Sequence, residues 1–508
     1  MKNIIVMMLC LISCSITTTD EFPIEKNSSN GIKPYGENPR YWEYMEEPVL
    51  LLGGSFEDNI FQFPNWYYDT DRYDYPTGMS TWTLEEHLDE LINSGGNYLR
   101  NTMSSRNPGN RFPFKKISGT PGDNQPTDNY DLDQWDDEYW NRFETFLAEC
   151  YNRNIIVQIE IWDQFDFHRT EAESWAPETR GKDNTGWESN PYNPLLNINY
   201  TAAESGLPEV VDYGPSTTAS PHPFLYSVPE LSEHENACEP IVLYYQEKFV
   251  EKLLSISLGY PNVLYCTNNE TPQPMEWGEH WMQFVRNKAS EAGKTVYCSD
   301  MRRANNFDTG GHPQILEQEF YDFFETSQSS AKNGDDHYNA LIYAREQIKH
   351  GEKIKPMNNV KIYETGSEPP KRMWRLIFAG ASSARFHRPG YTQFFWGIGL
   401  NSSAMTHIKS LRMFTDEMNI FSCEPDNSLL SNRGSGEAYC IAERGKQYAV
   451  YFSNGGSVNI DLSGSSGELE KRWLNIEKSE WGGTATITGG GTHTLNSPSA
   501  GQWAVLIK

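Results

Sequence analysis

Asn262-Val263-Leu264-Tyr265-Cys266-Thr267-Asn268-Asn269-Glu270 decides the fold: a short apolar run that breaks off into amides and an acid. A run of this length, bounded by polar residues and free of alternation, reads as a strand buried on both faces. Helix-period segments flank it at 241–257 and 281–292, and the next apolar run follows at once, Thr295-Val296-Tyr297-Cys298-Ser299-Asp300. Strand, helix, strand at this spacing is the βα repeat of a parallel sheet. Earlier in the chain the same rhythm gives Pro48-Val49-Leu50-Leu51-Leu52-Gly53-Gly54, then a capping box at Thr83-Leu84-Glu85-Glu86 and a helix stop at Gly95-Gly96. Asn97-Tyr98-Leu99-Arg100-Asn101 reads as strand two and Ile155-Ile156-Val157-Gln158-Ile159-Glu160-Ile161-Trp162 as strand three, with a helix over 135–151 between them. Later come a weaker sixth strand at 320–325, a helix at 338–349, strand seven at Val360-Lys361-Ile362-Tyr363-Glu364, a helix at 370–380 and strand eight at Ala384-Arg385-Phe386-His387. Eight units predict a (β/α)8 TIM barrel, helices outside and packed side chains within.

After Phe421 the composition turns to Gly, Ser, Thr and Asn, with period-two alternation in Gln447-Tyr448-Ala449-Val450-Tyr451-Phe452 and Gln502-Trp503-Ala504-Val505-Leu506-Ile507. This predicts a small C-terminal antiparallel β-sandwich over 423–508, behind a barrel over 36–422. The N-terminus, Met1-Lys2-Asn3 and then an apolar run to Ile12, has the order of a bacterial signal peptide and is too short to span a bilayer. Its end, Leu11-Ile12-Ser13-Cys14, resembles a lipobox, which implies cleavage before Cys14, a diacylglyceryl group on it, and export to a bacterial membrane, the outer one, on its periplasmic face or at the cell surface. An ordinary signal peptide cut a few residues later is the alternative. Residues 15–35 are polar and predict a flexible tether.

The net charge of −27 at pH 7 sets the chain against nucleic acid, whose phosphates need a basic surface. Cys10 and Cys14 fall in the leader, and the six other cysteines form no CxxC pair, so no zinc cluster is expected. Cys266 and Cys298 read as buried thiols, and a Cys423–Cys440 disulfide fits an oxidising compartment. The eleven histidines show no His-x-His at a strand end, so neither a metal site nor any other cofactor is expected.

Asn268-Asn269-Glu270 ends strand four and Tyr363-Glu364-Thr365-Gly366 ends strand seven, which directs both carboxylates to the mouth of one barrel. Surface glutamates at helix starts are the structural alternative. The joint pattern resembles clan A of the retaining glycoside hydrolases, in which an Asn-Glu pair closes strand four and a lone Glu closes strand seven. The resemblance implies that Glu270 is the general acid/base, Glu364 the nucleophile, Asn269 a ligand of the sugar 2-hydroxyl, and Arg100 a cation that keeps Glu364 ionised while the desolvated Glu270 keeps its proton. At strand six, where the clan places a His or Tyr against the nucleophile, this chain has Ser327-Gln328. Asn38-Pro39-Arg40-Tyr41-Trp42-Glu43-Tyr44 with the first strand, and Arg472-Trp473 with Trp503 in the sandwich, are similar to apiosidase-like and cellulase-like barrel enzymes of Bacteroidetes. The implied activity is cleavage of a β-linked glycan, a plant or algal polysaccharide or its oligosaccharides.

Asp58 and Asp163, just past strands one and three, are candidate hydroxyl ligands or loop caps, and Trp162, Gln328, His387, Arg388 and Trp396 complete the candidate substrate contacts. Insertions after strands one and three carry Trp66, Tyr67, Tyr68, Tyr73, Tyr75, Trp82, Phe165, Phe167, Trp175 and Trp187, which either stack on sugars or pack the loops down. Arg302-Arg303 and His387-Arg388 read either as oxyanion ligands for a sulfated or uronic glycan or as partners of nearby acids such as Asp300. The rival from another class is a glycan-binding surface lipoprotein on a barrel without catalysis.

Overall fold

The computed structural model describes residues 30–63, 82–105, 109–118, 128–167, 186–211, 222–270, 274–303, 312–328, 332–351, 353–364, 366–389 and 397–508. Eight strands alternate with eight helices: β1 (Leu51–Gly54), α1 (Leu84–Asn93), β2 (Tyr98–Thr102), α2 (Asp137–Asn152), β3 (Ile156–Asp163), α3 (Pro240–Ser257), β4 (Val263–Asn269), α4 (Met275–Glu291), β5 (Cys298–Ser299), α5 (His312–Glu317), β6 (Phe324–Glu325), α6 (Gly334–His350), β7 (Met357–Asn358), α7 (Glu368–Phe378), β8 (Ser383–Phe386) and α8 (Ser402–Thr415). Strands β5-β4-β3-β2-β1-β8 form one parallel sheet and β6-β7 a parallel pair. The ring closes where Asp322 N donates to Cys298 O at 2.8 Å and where Ile362 bridges Phe386 in parallel. This is a (β/α)8 barrel. The Thr83/Glu86 capping box opens α1 as expected, each side chain accepting from the other's backbone N–H. Gly53 is required where β1 meets β2, since a Cβ there would lie 1.9 Å from the carbonyl oxygen of Tyr98.

Strand seven departs from its expected place. Its ladder falls at Met357–Asn358, and 360–364 continues as an extended lip in which Ser327 Oγ, not a neighbouring backbone, accepts from the N–H groups of Val360 (2.8 Å) and Lys361 (3.0 Å). The barrel interior also differs from a packed apolar filling. Val157, Ile159 and Ile161 face the helices, while Leu51, Ile156 and Leu264, at the starts of their strands, contribute to a small apolar layer at the bottom. Above it the interior is polar: Tyr98 OH donates to Gln158 (2.6 Å), Gln158 Nε2 to Glu325 (3.2 Å), and Arg100 to Glu160 (2.7 Å). Burial pushes the Glu325 carboxyl up to about 7, against the pull of its bonds from Ser327 and Gln158.

The fold begins earlier than position 36. Ile32 N bonds Pro261 O at 2.9 Å, Lys33–Pro34 pairs with Trp42–Tyr44, and the Trp42 indole closes the barrel floor on Asn358 Oδ1 at 2.8 Å. Positions 30–35 of the expected tether therefore belong to the fold, and residues 1–29, with Cys14, lie outside the described residues.

The C-terminal part is all antiparallel. A seven-stranded sheet (Glu424–Pro425, Ala438–Glu443, Gln447–Phe452, Trp503–Ile507, Glu468–Asn475, Glu480–Trp481, Ala485–Thr488) lies against a three-stranded one (Leu430–Ser431, Ser457–Asp461, Thr492–Asn496). Cys440, Val450 and Val505 meet Val458, Ile460 and Leu495 between the two sheets. The opposite face of the larger sheet joins the barrel core, with Tyr451 stacked on Trp374 of α7 at 5.3 Å. The sandwich is thus fastened to the barrel by its own alternation. Cys423 and Cys440 are both buried free thiols, not the expected disulfide, and Cys423 Sγ donates to Asn419 O at 3.3 Å.

Candidate active site at the barrel mouth

Three strand ends converge on one carboxylate. Glu270 directly follows β4, with its backbone N–H on Met301 O at 2.9 Å and a left-handed φ of 60°. Glu364 shares that conformation, at φ 79°. A non-glycine residue held there costs about 1–3 kcal/mol, and such strain collects where function over-determines the backbone. From the β7 lip, Tyr363 OH donates to Glu270 Oε1 at 2.9 Å and Lys361 Nζ bonds the same oxygen. Gln328, past β6, adds a further hydrogen bond to this carboxylate. Lys361 Nζ also donates to Asn269 Oδ1 at 2.5 Å, and Asn269 Nδ2 donates to Asp163 Oδ2 at 2.7 Å, which ties in β3. Burial by itself would raise the Glu270 carboxyl, but Lys361, Tyr363 and Gln328 together outweigh it and hold the group at about 2. Its side chain retains 16% of its exposure, whereas that of Lys361 retains 1%.

Asp58 is the hub of a second, drier layer. Its Oδ1 takes Arg100 Nη1 and its Oδ2 takes Arg388 Nε, each at 2.5 Å, with His387 Nδ1 at 3.6 Å. Glu160 holds the other side of Arg100. The His387 ring packs on Tyr363 with centroids 4.9 Å apart, and burial keeps its imidazole well below the ordinary range, hence neutral. Ion pairs from β1, β2, β3 and β8 thereby brace the lip that carries Lys361 and Tyr363.

With this geometry in view, comparison with known proteins gives the following. A glycoside hydrolase family 5 protein from Bacteroides vulgatus ATCC 8482 superposes with a TM-score of 0.56 at 13% identity, over 94% of this chain and 93% of that one. Another solved chain, named simply glycoside hydrolase, gives 0.56 at 12% identity, over 94% and 97%. These likenesses establish the fold. Residues 425–507 match the family described as "Putative collagen-binding domain of a collagenase". No curated protein matches the chain.

The structure gathers Asn269, Glu270, Asp163, Gln328, Asp58, Arg100, His387 and Arg388 around one end of the barrel, but several stand otherwise than the sequence implied. Arg100 is spent on Asp58 and Glu160, not on Glu364. Lys361 beside Glu270 holds its carboxyl below the usual range, against the expectation that it keeps its proton. Glu364 turns to Arg372 of α7, 2.9 Å away, and Arg372 also bonds Asn333. Trp162 is no sugar platform: it is 4% exposed and packed among Phe224, Phe249, Trp277 and Trp281. Trp187 and Phe167 are likewise buried, so the second insertion's described aromatics pack their loop down. Asp163 both caps, accepting from Phe165 N at 2.9 Å, and holds Asn269. Arg388 is paired with Asp58, and Arg302 lies close enough to Asp300 to oppose the upward push of burial on that carboxyl. Trp396, Trp66, Tyr67, Tyr68, Tyr73, Tyr75 and Trp175 lie outside the described residues. Among the described residues no group of three His, Cys, Asp or Glu is placed to hold a metal. Sequence reasoning missed Lys361 and Tyr363, whose signal was a lysine inside an otherwise apolar strand run with a tyrosine two residues on, on the same face.

Proposed function

We propose that the protein is a retaining glycoside hydrolase acting at the barrel mouth on a β-linked glycan, a plant or algal polysaccharide or its oligosaccharides, with Glu270 and Glu364 as its two carboxyl groups. The observation that carries this reading is the convergence of β4, the β7 lip and Gln328 beyond β6 on Glu270, a strained and partly open carboxylate at the C-terminal end of barrel strands, the face where barrel enzymes keep their chemistry. Double displacement inverts the anomeric carbon twice, so the first-formed product should keep the substrate's anomeric configuration. NMR of the product within the first turnovers checks this, and the opposite anomer would reject the double-displacement step. A panel of aryl β-glycosides and polysaccharides, assayed with EDTA present, tests the activity itself.

The second reading is glycan binding without turnover. It is favoured by the resting state of both glutamates, each set against a cation, Lys361 or Arg372. Tight binding of oligosaccharides with no product from any of them would select it.

Under either reading we propose export and lipid attachment at Cys14, on the strength of Leu11-Ile12-Ser13-Cys14. A Cys14→Ser variant should leave the membrane fraction. Its full retention there would reject the anchor.

A further inference from the structure

The Asn269 side chain has two chemically opposite ends, and each meets its complement. Its oxygen faces the Lys361 ammonium at 2.5 Å and its nitrogen faces the Asp163 carboxylate at 2.7 Å. Rotating the amide by half a turn would set N–H against ammonium and oxygen against carboxylate, so Lys361 and Asp163 together allow one orientation only. The same ammonium bonds Glu270 Oε1, where Tyr363 OH also donates. An oxygen that already accepts from two donors is a poor place for a proton.

We propose that Lys361 is a positioning residue that locks the Asn269 carboxamide and the Glu270 carboxylate into one arrangement, so that Glu270 enters the catalytic cycle as an anion; the catalytic part of this rests on the glycosidase reading. An anion attacks carbon or accepts a proton, and it does not protonate a leaving group, a task that in double displacement then falls to the second carboxyl group, Glu364. The groups set against Glu270 agree in sign: Lys361 and Tyr363 from the β7 lip and Gln328 from beyond β6, with Asp163 of β3 held off behind Asn269 and a neutral His387 of β8 behind Tyr363. Within the barrel, Glu160 lies near enough to Lys361 to feel its charge, yet it is committed to Arg100. The low position of the Glu270 carboxyl, about 2, follows from this geometry.

The test follows the Glu270 carboxyl by 13C NMR in protein labelled at glutamate Cδ, its signal assigned by its loss in Glu270→Gln. In the wild type the signal should remain that of a carboxylate throughout the mildly acidic range. Lys361→Met should move the titration up by at least about one pH unit, the usual effect of removing an opposite charge in contact. Lys361→Arg should restore it close to wild type. If Lys361→Met does not fold, Lys361→Gln carries the same expectation, since it keeps a hydrogen-bonding side chain without the charge. On an active substrate, the acidic limb of kcat/KM should move with the titration in the uncharged variants. A Glu270 titration unchanged by loss of the Lys361 charge overturns the proposal. Absence of turnover by the wild type on every glycoside would end the glycosidase reading, while the titration would still decide what Lys361 does to Glu270.

Discussion

Glu270→Gln is expected to lower kcat/KM by at least about 10²–10⁴, the usual worth of a positioned base, while the protein stays folded. The amide keeps the shape and can still accept from Tyr363, whose hydroxyl lies 2.9 Å from Oε1. Lys361 loses its carboxylate but keeps Asn269 Oδ1 at 2.5 Å, so the buried ammonium is not left without a hydrogen bond. The loss should therefore fall in kcat, with little change in the unfolding midpoint. A binding-only barrel behaves differently: the substitution would alter glycan affinity and there would be no turnover to lose. Turnover by Glu270→Gln within about threefold of wild type, far short of the expected factor, would remove Glu270 from the chemistry. Steady-state kinetics beside circular dichroism separates these outcomes.

The eight-unit rhythm was legible because barrel strands are short apolar runs and their helices carry an amphipathic period, and Val157, Ile159 and Ile161 do face the helix layer. The polar interior was written in the same strand, at the alternate positions Gln158 and Glu160, but it is visible only when the run is read with period two and not as one apolar block. The sandwich was legible from its alternation, whereas the barrel's claim on one of its faces was not, since Tyr451 facing Trp374 needs three dimensions. At the barrel mouth, the placement of Asn269 and Glu270 was legible from their position at a strand end. The orientation of Glu364 was not: its left-handed φ of 79° takes it out of the strand's alternation, and its carboxylate meets Arg372 at 2.9 Å. A charge partner assigned from sequence, such as Arg100 for Glu364, fails for another reason: a barrel mouth offers an arginine several acids, and Arg100 meets Asp58 and Glu160 across the adjacent strands.

Asp58→Ala should cost the barrel about 3–5 kcal/mol, the range found when one partner of a buried ion pair is deleted. The side chains of Asp58, Arg100, Arg388 and Glu160 are all at most 4% exposed, and their two positive and two negative charges balance. Removing Asp58 leaves this group with a net positive charge where water cannot screen it, and neutral His387 cannot compensate. Arg100 keeps Glu160 at 2.7 Å, so the damage should concentrate on Arg388, whose Nε loses an acceptor at 2.5 Å. Asp58→Asn, which keeps an acceptor without the charge, should fall between wild type and alanine. Because Arg388 follows His387, and His387 packs on Tyr363, loosening this corner should also weaken the Tyr363 bond to Glu270 and lower kcat beyond any effect of unfolding. Urea unfolding followed by tryptophan fluorescence measures the first effect, and kinetics at a temperature where the variant is fully folded measures the second. A double substitution, Asp58→Ala with Arg388→Met, removes one charge of each sign and should recover part of the stability lost by the single change. If Asp58→Ala unfolds at the wild-type urea midpoint, the charges are not acting as a buried network, and the bracing of the β7 lip through β1 and β8 fails with it.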